Sequence, residues 1–189
     1  VVTISESMKQ AIIERGIEPD RITIVPNAVD RYRFKPLPRN ETIQLELGLK
    51  DSFTLGYISN MSLREGHDIL IKAIPNLIKE HGNVKLLLVG DGKERENLEK
   101  LVEELKIQDR VIFTGNVDHS KIQEYYALID LFVVPRRQDY ASDLVTPLKP
   151  FEAMAMKIPL LVSDRPALLE IVGEDRGFSF RTEDSQHLA

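Results

Sequence analysis

The chain has 189 residues, of which 42% are hydrophobic and 29% are charged, and its formal net charge is -5. This composition is ordinary for a globular protein with a sizeable core, and the negative charge argues against a general nucleic-acid-binding surface. The absence of cysteine excludes disulfides, thiolate metal sites and a cysteine nucleophile, and no apolar run approaches the roughly 20 residues that span a bilayer.

The first fifty residues predict short elements around an irregular connection. Ser5 is a typical N-cap residue, and Gly16 is a typical helix stop signal. The predicted elements are a strand at 1–4, a helix from Ser5 to Arg15, a strand at 21–25, a loop at 27–40 and a short helix at 43–49.

From residue 53 onward, predicted strands and helices alternate. Strands are expected at 53–59, 84–89, 110–114, 131–134, 160–162 and 177–180, and helices at 66–81, 92–106, 119–128, 150–156 and 166–172. Helices between successive strands indicate right-handed crossovers and a parallel sheet. The predicted fold is therefore α/β, with a Rossmann-like parallel sheet and helices on both faces.

The long connection after the strand at 131–134 carries the densest set of candidate ligand-binding side chains. In open parallel sheets the ligand crevice lies beyond the carboxyl ends of the strands, where this connection is expected. Cations there suit a diphosphate, although a solvated charged loop is the alternative. The candidates are Arg136, Arg137, Asp139, Asp143, Thr146 and Lys149. Glu152, at the start of the next helix, is suited to accept hydrogen bonds from paired sugar hydroxyls, although the helix dipole alone favours a carboxylate there.

Other strand ends carry weaker signals. Gly90 and Gly92 predict a tight strand-to-helix turn or a backbone approach to a phosphate. Asn60 and Arg64, in the loop before the helix at 66–81, suit a phosphate or a plain capped helix start. The four histidines lack metal-ligand spacing, and His67 alone is expected near the crevice.

Five ordered segments resemble the donor-binding half of the family 4 retaining glycosyltransferases with the GT-B fold, also described as glycosyl transferases group 1. The segments are VVTISESMKQAIIERGIEPDRITIVPNAVD, LLLVGDGKERENLEKL, VIFTGNV, YYALIDLFVVP and FEAMAMKIPLLVSD. The resemblance covers nearly the whole chain. It implies that residues 1–20 are a remnant of the acceptor domain and that residues 21–189 form a donor-binding domain, truncated before its C-terminal helix.

The resemblance assigns Glu152 to the second motif glutamate, which holds the nucleotide ribose. It also places the base against the backbone of Gly115, Asn116 and Val117, and it implies donor contacts from Leu148, Thr146, Asn60 and Arg64.

Two departures from the family pattern affect the sugar and phosphate contacts. Leu144 stands where the family has its first motif glutamate, and neighbouring Asp143 is the expected substitute. The family's phosphate-binding Arg and Lys fall on Asn60 and Glu65, so the resemblance implies that Lys149, with Arg136 or Arg137, supplies the missing charge. The catalytic candidates are accordingly Lys149, Arg136 and Asp143.

The implied activity is retaining transfer of a hexose from a nucleotide diphosphate sugar to the hydroxyl of a glycan, a lipid-linked acceptor or a small molecule. No metal and no cofactor are expected, and neither is a nucleic-acid partner. We expect a cytoplasmic protein, with peripheral membrane contact through the missing acceptor domain. The alternative is a non-catalytic nucleotide-sugar binding module derived from the same family, as Leu144, Asn60 and Glu65 suggest. A plain receiver or reductase domain would need an acidic pocket at the strand ends or a GxGxxG loop, and the sequence has neither.

Overall fold

Eight strands form two parallel sheets in the computed structural model, which describes residues 1–189. Their bounds are β1 Val2–Thr3, β2 Thr23–Ile24, β3 Phe53–Ile58, β4 Val84–Val89, β5 Val111–Phe113, β6 Leu131–Val134, β7 Leu160–Ser163 and β8 Phe178–Phe180. The main sheet has the order β5-β4-β3-β6-β7-β8, and β1 pairs only with β2. The predicted α/β class with a parallel sheet is confirmed.

Nine α-helices connect or flank these strands. Their bounds are α1 Glu6–Ile13, α2 Glu41–Glu46, α3 His67–His81, α4 Arg95–Glu104, α5 Ile122–Tyr126, α6 Tyr140–Leu144, α7 Lys149–Ala155, α8 Pro166–Val172 and α9 Ser185–Leu188. The chain steps from β3 through β4 to β5 in one direction across the sheet, and from β6 through β7 to β8 in the other. Right-handed crossovers therefore place α3 and α4 on one face and α7 and α8 on the opposite face. No helix combines the length and the apolar character that crossing a lipid bilayer requires.

The core follows from the apolar run in β4. Leu86, Leu87 and Leu88 are all fully buried, because helices cover both faces of the central strands. They belong to one cluster of 38 buried residues that extends through every strand of the main sheet. This rigid sheet fixes the positions of the loops that leave its carboxyl edge.

Most predicted elements are present, with shifts of a few residues at their ends. The predicted helix at 92–106 is confined to α4, and the one at 119–128 begins as a 3-10 turn before α5. The interpretation of 135–150 as one long loop is wrong, because it contains the helix α6. Asp139 caps this helix by accepting hydrogen bonds from the amides of Ala141 at 2.9 Å and Ser142 at 3.1 Å.

The N-terminal segment is tied to the main domain by side-chain hydrogen bonds. Ser5 caps α1, as predicted, and its hydroxyl also donates to the carbonyl oxygen of Leu144 at 2.5 Å. The Glu170 carboxylate, on α8, accepts from the amides of Glu6 at 2.9 Å and Ser7 at 2.7 Å. A carboxylate at a helix N-terminus satisfies amides that lack partners within the helix. These bonds hold α1 against α6 and α8.

Candidate functional site

A cavity of about 250 Å³ opens beside the carboxyl ends of β3 and β6. These two strands are neighbours at the point where the strand order reverses, which is the usual position of a ligand crevice in an open α/β sheet. We call it the strand-end cavity. Residues that line it include Tyr57, Asn60, Glu65, Arg136, Leu148 and Lys149.

Glu152 lies next to this cavity and is held by two donors. Lys149 begins α7, so one helical turn brings its Nζ within 3.0 Å of Glu152 Oε2. From α5, the Tyr126 hydroxyl donates to the same oxygen at 2.7 Å. Burial raises the pKa of Tyr126 well above its usual range, so this hydroxyl remains a donor. Since both bonds end on Oε2, Oε1 accepts no hydrogen bond from the protein and is available to a ligand.

Arg136 is fixed in the wall of the cavity by Glu65. Its Nε and Nη2 donate to Oε2 and Oε1 of Glu65 at 3.2 and 3.1 Å, and its Nη1 donates to the carbonyl of Val145 at 3.3 Å. The Tyr57 hydroxyl also donates to Glu65. Burial, followed by the charge of Glu65, raises the pKa of Tyr57 well above its usual range. The guanidinium is therefore held in a two-bond pair whose carboxylate has a second, neutral donor.

The glycine at the start of α3 lets two loops touch. Gly66 has φ +71°, and a Cβ there would lie 1.9 Å from the carbonyl oxygen of Pro135. Only glycine permits both the left-handed backbone and this close approach. Because Gly66 follows Glu65 and Pro135 precedes Arg136, the contact fixes the backbone on both sides of the ion pair.

His67 lies beneath the site rather than in it. Its Nε2 is 3.0 Å from the Ser59 hydroxyl, and its ring packs against Tyr57. Burial lowers the pKa of His67 to about 4, so the ring is neutral near pH 7. No group of three or more histidine, aspartate or glutamate side chains is arranged to hold a metal ion.

Arg137, the alternative to Arg136 as a phosphate ligand, points to a different place. It donates to Asp68 at 2.6 Å and lies 3.3 Å from Glu183. With Asp68 it lines a separate cavity of about 170 Å³ beside α3 and α4. The structure therefore brings Arg136, and not Arg137, together with Lys149.

Asp143 and Thr146, expected near the donor sugar, lie away from the strand-end cavity. Asp143 pairs with Arg165 at 2.8 Å and lines a surface cleft beside α1. Thr146 is buried, and its carbonyl and hydroxyl oxygens accept from the Asn27 amide at 2.7 and 3.2 Å. Both side chains are used within the protein, because α6 turns this part of the connection toward the N-terminal segment.

The residues expected to contact the nucleotide lie at several positions along the same sheet edge. Asn60 and Leu148 line the strand-end cavity, whereas Arg64 is exposed. Gly115 follows β5, and its carbonyl accepts from the Gly90 amide at 3.0 Å. Asn116 is exposed and Val117 packs against the core. Nothing but backbone joins 115–117 to the crevice, which fits the expected backbone contact with a base.

The glycines after β4 have a structural explanation. A Cβ on Gly90 would lie 2.1 Å from the carbonyl oxygen of Ser59, and one on Gly92 would lie 2.4 Å from that of Met61. The two strand-end loops therefore pass in contact at both glycines. Close backbone packing accounts for both glycines, as the tight-turn interpretation predicts.

Sequence reasoning misses the roles of three residues of this site. Glu65 stands out in the sequence only as a departure from a family pattern, and the two tyrosines, Tyr57 and Tyr126, show no sign there of a polar role. Each joins a partner at least eight positions away in sequence. A buried tyrosine that needs a hydrogen-bond partner is the available signal, but it does not name that partner.

Comparison with known proteins identifies the family. The family described as glycosyl transferases group 1 matches residues 39–189. The chain belongs to this family. Among solved structures, Anabaena HepE in complex with UDP superposes on this group 1 glycosyltransferase chain over 100% of its length, with a TM-score of 0.88 at 24% identity. The match covers 51% of HepE.

Two curated relatives are also glycosyltransferases. A phosphatidylinositol N-acetylglucosaminyltransferase protein of Arabidopsis thaliana is 30% identical over 67% of the chain and 27% of its own length. The GDP-mannose-dependent alpha-(1-6)-phosphatidylinositol monomannoside mannosyltransferase of Mycobacterium tuberculosis is 29% identical over 80% of the chain and 40% of its own length. The chain thus matches less than half the length of either relative.

Proposed function

We propose that this group 1 glycosyltransferase chain is the donor-binding part of a family 4 retaining enzyme and that it binds a nucleotide diphosphate sugar in the strand-end cavity. The observation that carries this proposal is the convergence of Arg136 and Lys149 on one cavity, beside a carboxylate with a free oxygen. Two fixed cations suit a diphosphate, and the free Glu152 Oε1 suits the paired hydroxyls of a ribose.

The relatives support the nucleotide-sugar part of the proposal. The mycobacterial relative uses GDP-mannose by its name, and the Anabaena structure contains UDP. Their bases differ, so the base is left open, as are the sugar and the choice among glycan, lipid-linked and small-molecule acceptors.

The proposed reaction breaks the bond between the anomeric carbon and the diphosphate oxygen. The diphosphate leaves with the bonding electron pair, the acceptor oxygen bonds to the same carbon with retained configuration, and the acceptor proton is released. Negative charge grows on the diphosphate as the bond breaks, so Lys149 and Arg136 stabilise the transition state more than the intact donor. No step in this account uses a metal ion.

The domain assignment is part of the same proposal. Residues 1–20 would derive from the acceptor-binding half, and 21–189 would bind the donor. Asp143 and Thr146 would need a rearrangement of the α6 segment to reach the sugar, because both now bond to other residues.

A second candidate function is a binding module without catalysis. It is favoured by the pairing of both cavity cations with carboxylates, since Glu65 and Glu152 offset the charges of Arg136 and Lys149. It is also favoured by Leu144, which offers the sugar no carboxylate.

Kinetics on the protein that contains this chain distinguish the two candidates. Donor binding and turnover would be measured with UDP-, GDP- and ADP-sugars for the wild type and Lys149→Ala. The catalytic proposal predicts a larger loss in kcat than in donor affinity. Donor binding without turnover of any sugar would instead support the binding module.

A further inference from the structure

The hydrogen bonds of Arg136 leave a defined part of its guanidinium free. An arginine carries five N–H groups. Two of them bond Glu65, through Nε and Nη2, and a third bonds the Val145 carbonyl through Nη1. Of the five, two therefore remain, one on each terminal nitrogen, and together they form a fork that matches two phosphate oxygens.

Glu65 is itself built into the fold. It ends a 3-10 turn and is followed by Gly66, whose backbone touches Pro135. The side chains of Glu65 and Arg136 are each only 12% exposed, and the fully buried Tyr57 donates to the same carboxylate. A pair fixed in this way cannot swing freely into solvent.

We infer that Glu65 is a positioning residue, which holds Arg136 so that its free fork faces the diphosphate of the donor. This inference rests on the proposed function. Glu65 acts through Arg136 and does not itself need to touch the ligand. An unfixed arginine would lose side-chain entropy on binding, whereas the paired one is already ordered.

Charge and geometry must be separated in a test of Glu65. Removing its charge leaves Arg136 without a counter-ion, which by itself strengthens the attraction to an anion. Glu65→Asp avoids this effect, because it keeps the charge and shortens the side chain by one methylene, so that the two-bond pair is lost. Asp68→Glu is the matched control, since it changes the carboxylate length in the neighbouring pair with Arg137, outside the strand-end cavity.

The experiment is calorimetric titration of the chain with UDP, GDP and ADP and with the corresponding monophosphates. Glu65→Asp is expected to bind the preferred diphosphate about tenfold more weakly, with little change for the monophosphate. Asp68→Glu is expected to match the wild type. In an Arg136→Gln background, Glu65→Asp is expected to have no further effect, because Glu65 then has no guanidinium to position.

Each result has a definite meaning. If the wild type binds a diphosphate and Glu65→Asp binds it equally well, the inference is wrong while the proposed function stands. Equal losses with and without Arg136 would also overturn it, since Glu65 would then act independently. A wild type that binds no diphosphate overturns the proposed function itself. Should Glu65→Asp fail to fold, Arg136→Lys tests the same point, because lysine keeps the charge without the fork.

Discussion

Tyr126 donates a hydrogen bond to Glu152 over 2.7 Å, although the two residues are 26 positions apart in sequence. The bond joins α5 to α7 beneath the strand-end cavity. Together with Lys149 it occupies one carboxylate oxygen and leaves the other open. This arrangement orients a buried carboxylate before any ligand arrives.

Tyr126→Phe is expected to weaken nucleoside diphosphate binding about threefold to tenfold, because Glu152 loses one of the two donors that orient it. The free energy of unfolding should fall by about 1 kcal/mol. Calorimetry and urea titration measure the two effects. Tyr125→Phe is the control, since the Tyr125 hydroxyl makes no hydrogen bond in the structure, and it should alter neither quantity by much. Unchanged affinity in Tyr126→Phe would show that the bond is only structural.

Lys149→Met is expected to weaken diphosphate binding about tenfold and to reduce its dependence on salt. One cation then remains to attract the phosphates, and exposed charges are screened over about 10 Å at 0.1 M salt. The measurement is the dissociation constant at several ionic strengths. Lys79→Met is the control, because Lys79 lies in the last turn of α3, at the opposite end from the cavity. Equal salt dependence in wild type and Lys149→Met would contradict the role given to Lys149.

The buried His67 should make the fold sensitive to acid. Burial lowers its pKa from 6.5 to about 4, so below pH 6.5 the unfolded chain binds a proton that the folded chain does not. This contribution to stability is complete above pH 6.5 and is lost as the pH falls toward 4. The loss amounts to about 3 kcal/mol for a shift of this size.

Urea titrations between pH 7 and pH 4 measure this effect. The free energy of unfolding of the wild type should fall more steeply over this range than that of His67→Gln, which keeps a polar partner for Ser59 but does not titrate. Parallel curves for the two proteins would show that His67 is not the group responsible.

Gly66→Ala should be far more destabilising than a comparable glycine substitution elsewhere. Gly48 also has a positive φ, +63°, but a Cβ there meets only the flexible end of Lys85 at 3.4 Å. Gly48→Ala should cost about 1–2 kcal/mol for the left-handed backbone alone. Gly66→Ala should cost about 2 kcal/mol more, because Pro135 must move. Since Arg136 follows Pro135, diphosphate binding should also weaken in Gly66→Ala alone; equal effects of the two variants would contradict this account.

The sequence predicts the sheet well, for a physical reason. Residues 86–89 form an unbroken apolar run and 131–134 another, and each is short and bounded by glycine or proline. Such runs indicate buried parallel strands, and the intervening helical patterns then fix a parallel topology. The helix α6 escapes sequence reasoning because its apolar face is short and because its cap, Asp139, also suits a ligand-binding role.

The site is predictable only in part. Lys149 and Glu152 are three residues apart on one helix, so their proximity follows from helical geometry. Arg136 and Glu65 are 71 positions apart, and their pairing depends on two strands being neighbours in the sheet. The choice between Arg136 and Arg137 likewise depends on which way each side chain leaves the strand end, and Asp68 and Glu65 decide it.

The most direct test of the account compares a nucleoside diphosphate with its 2′,3′-dideoxy analogue. Calorimetry would measure both affinities for the wild type and for Glu152→Ala, after thermal unfolding has verified that the variant folds. The account predicts that the wild type prefers the hydroxylated ribose by about tenfold and that Glu152→Ala shows no preference. A preference that survives the loss of Glu152, or a wild type that binds neither compound, would contradict it.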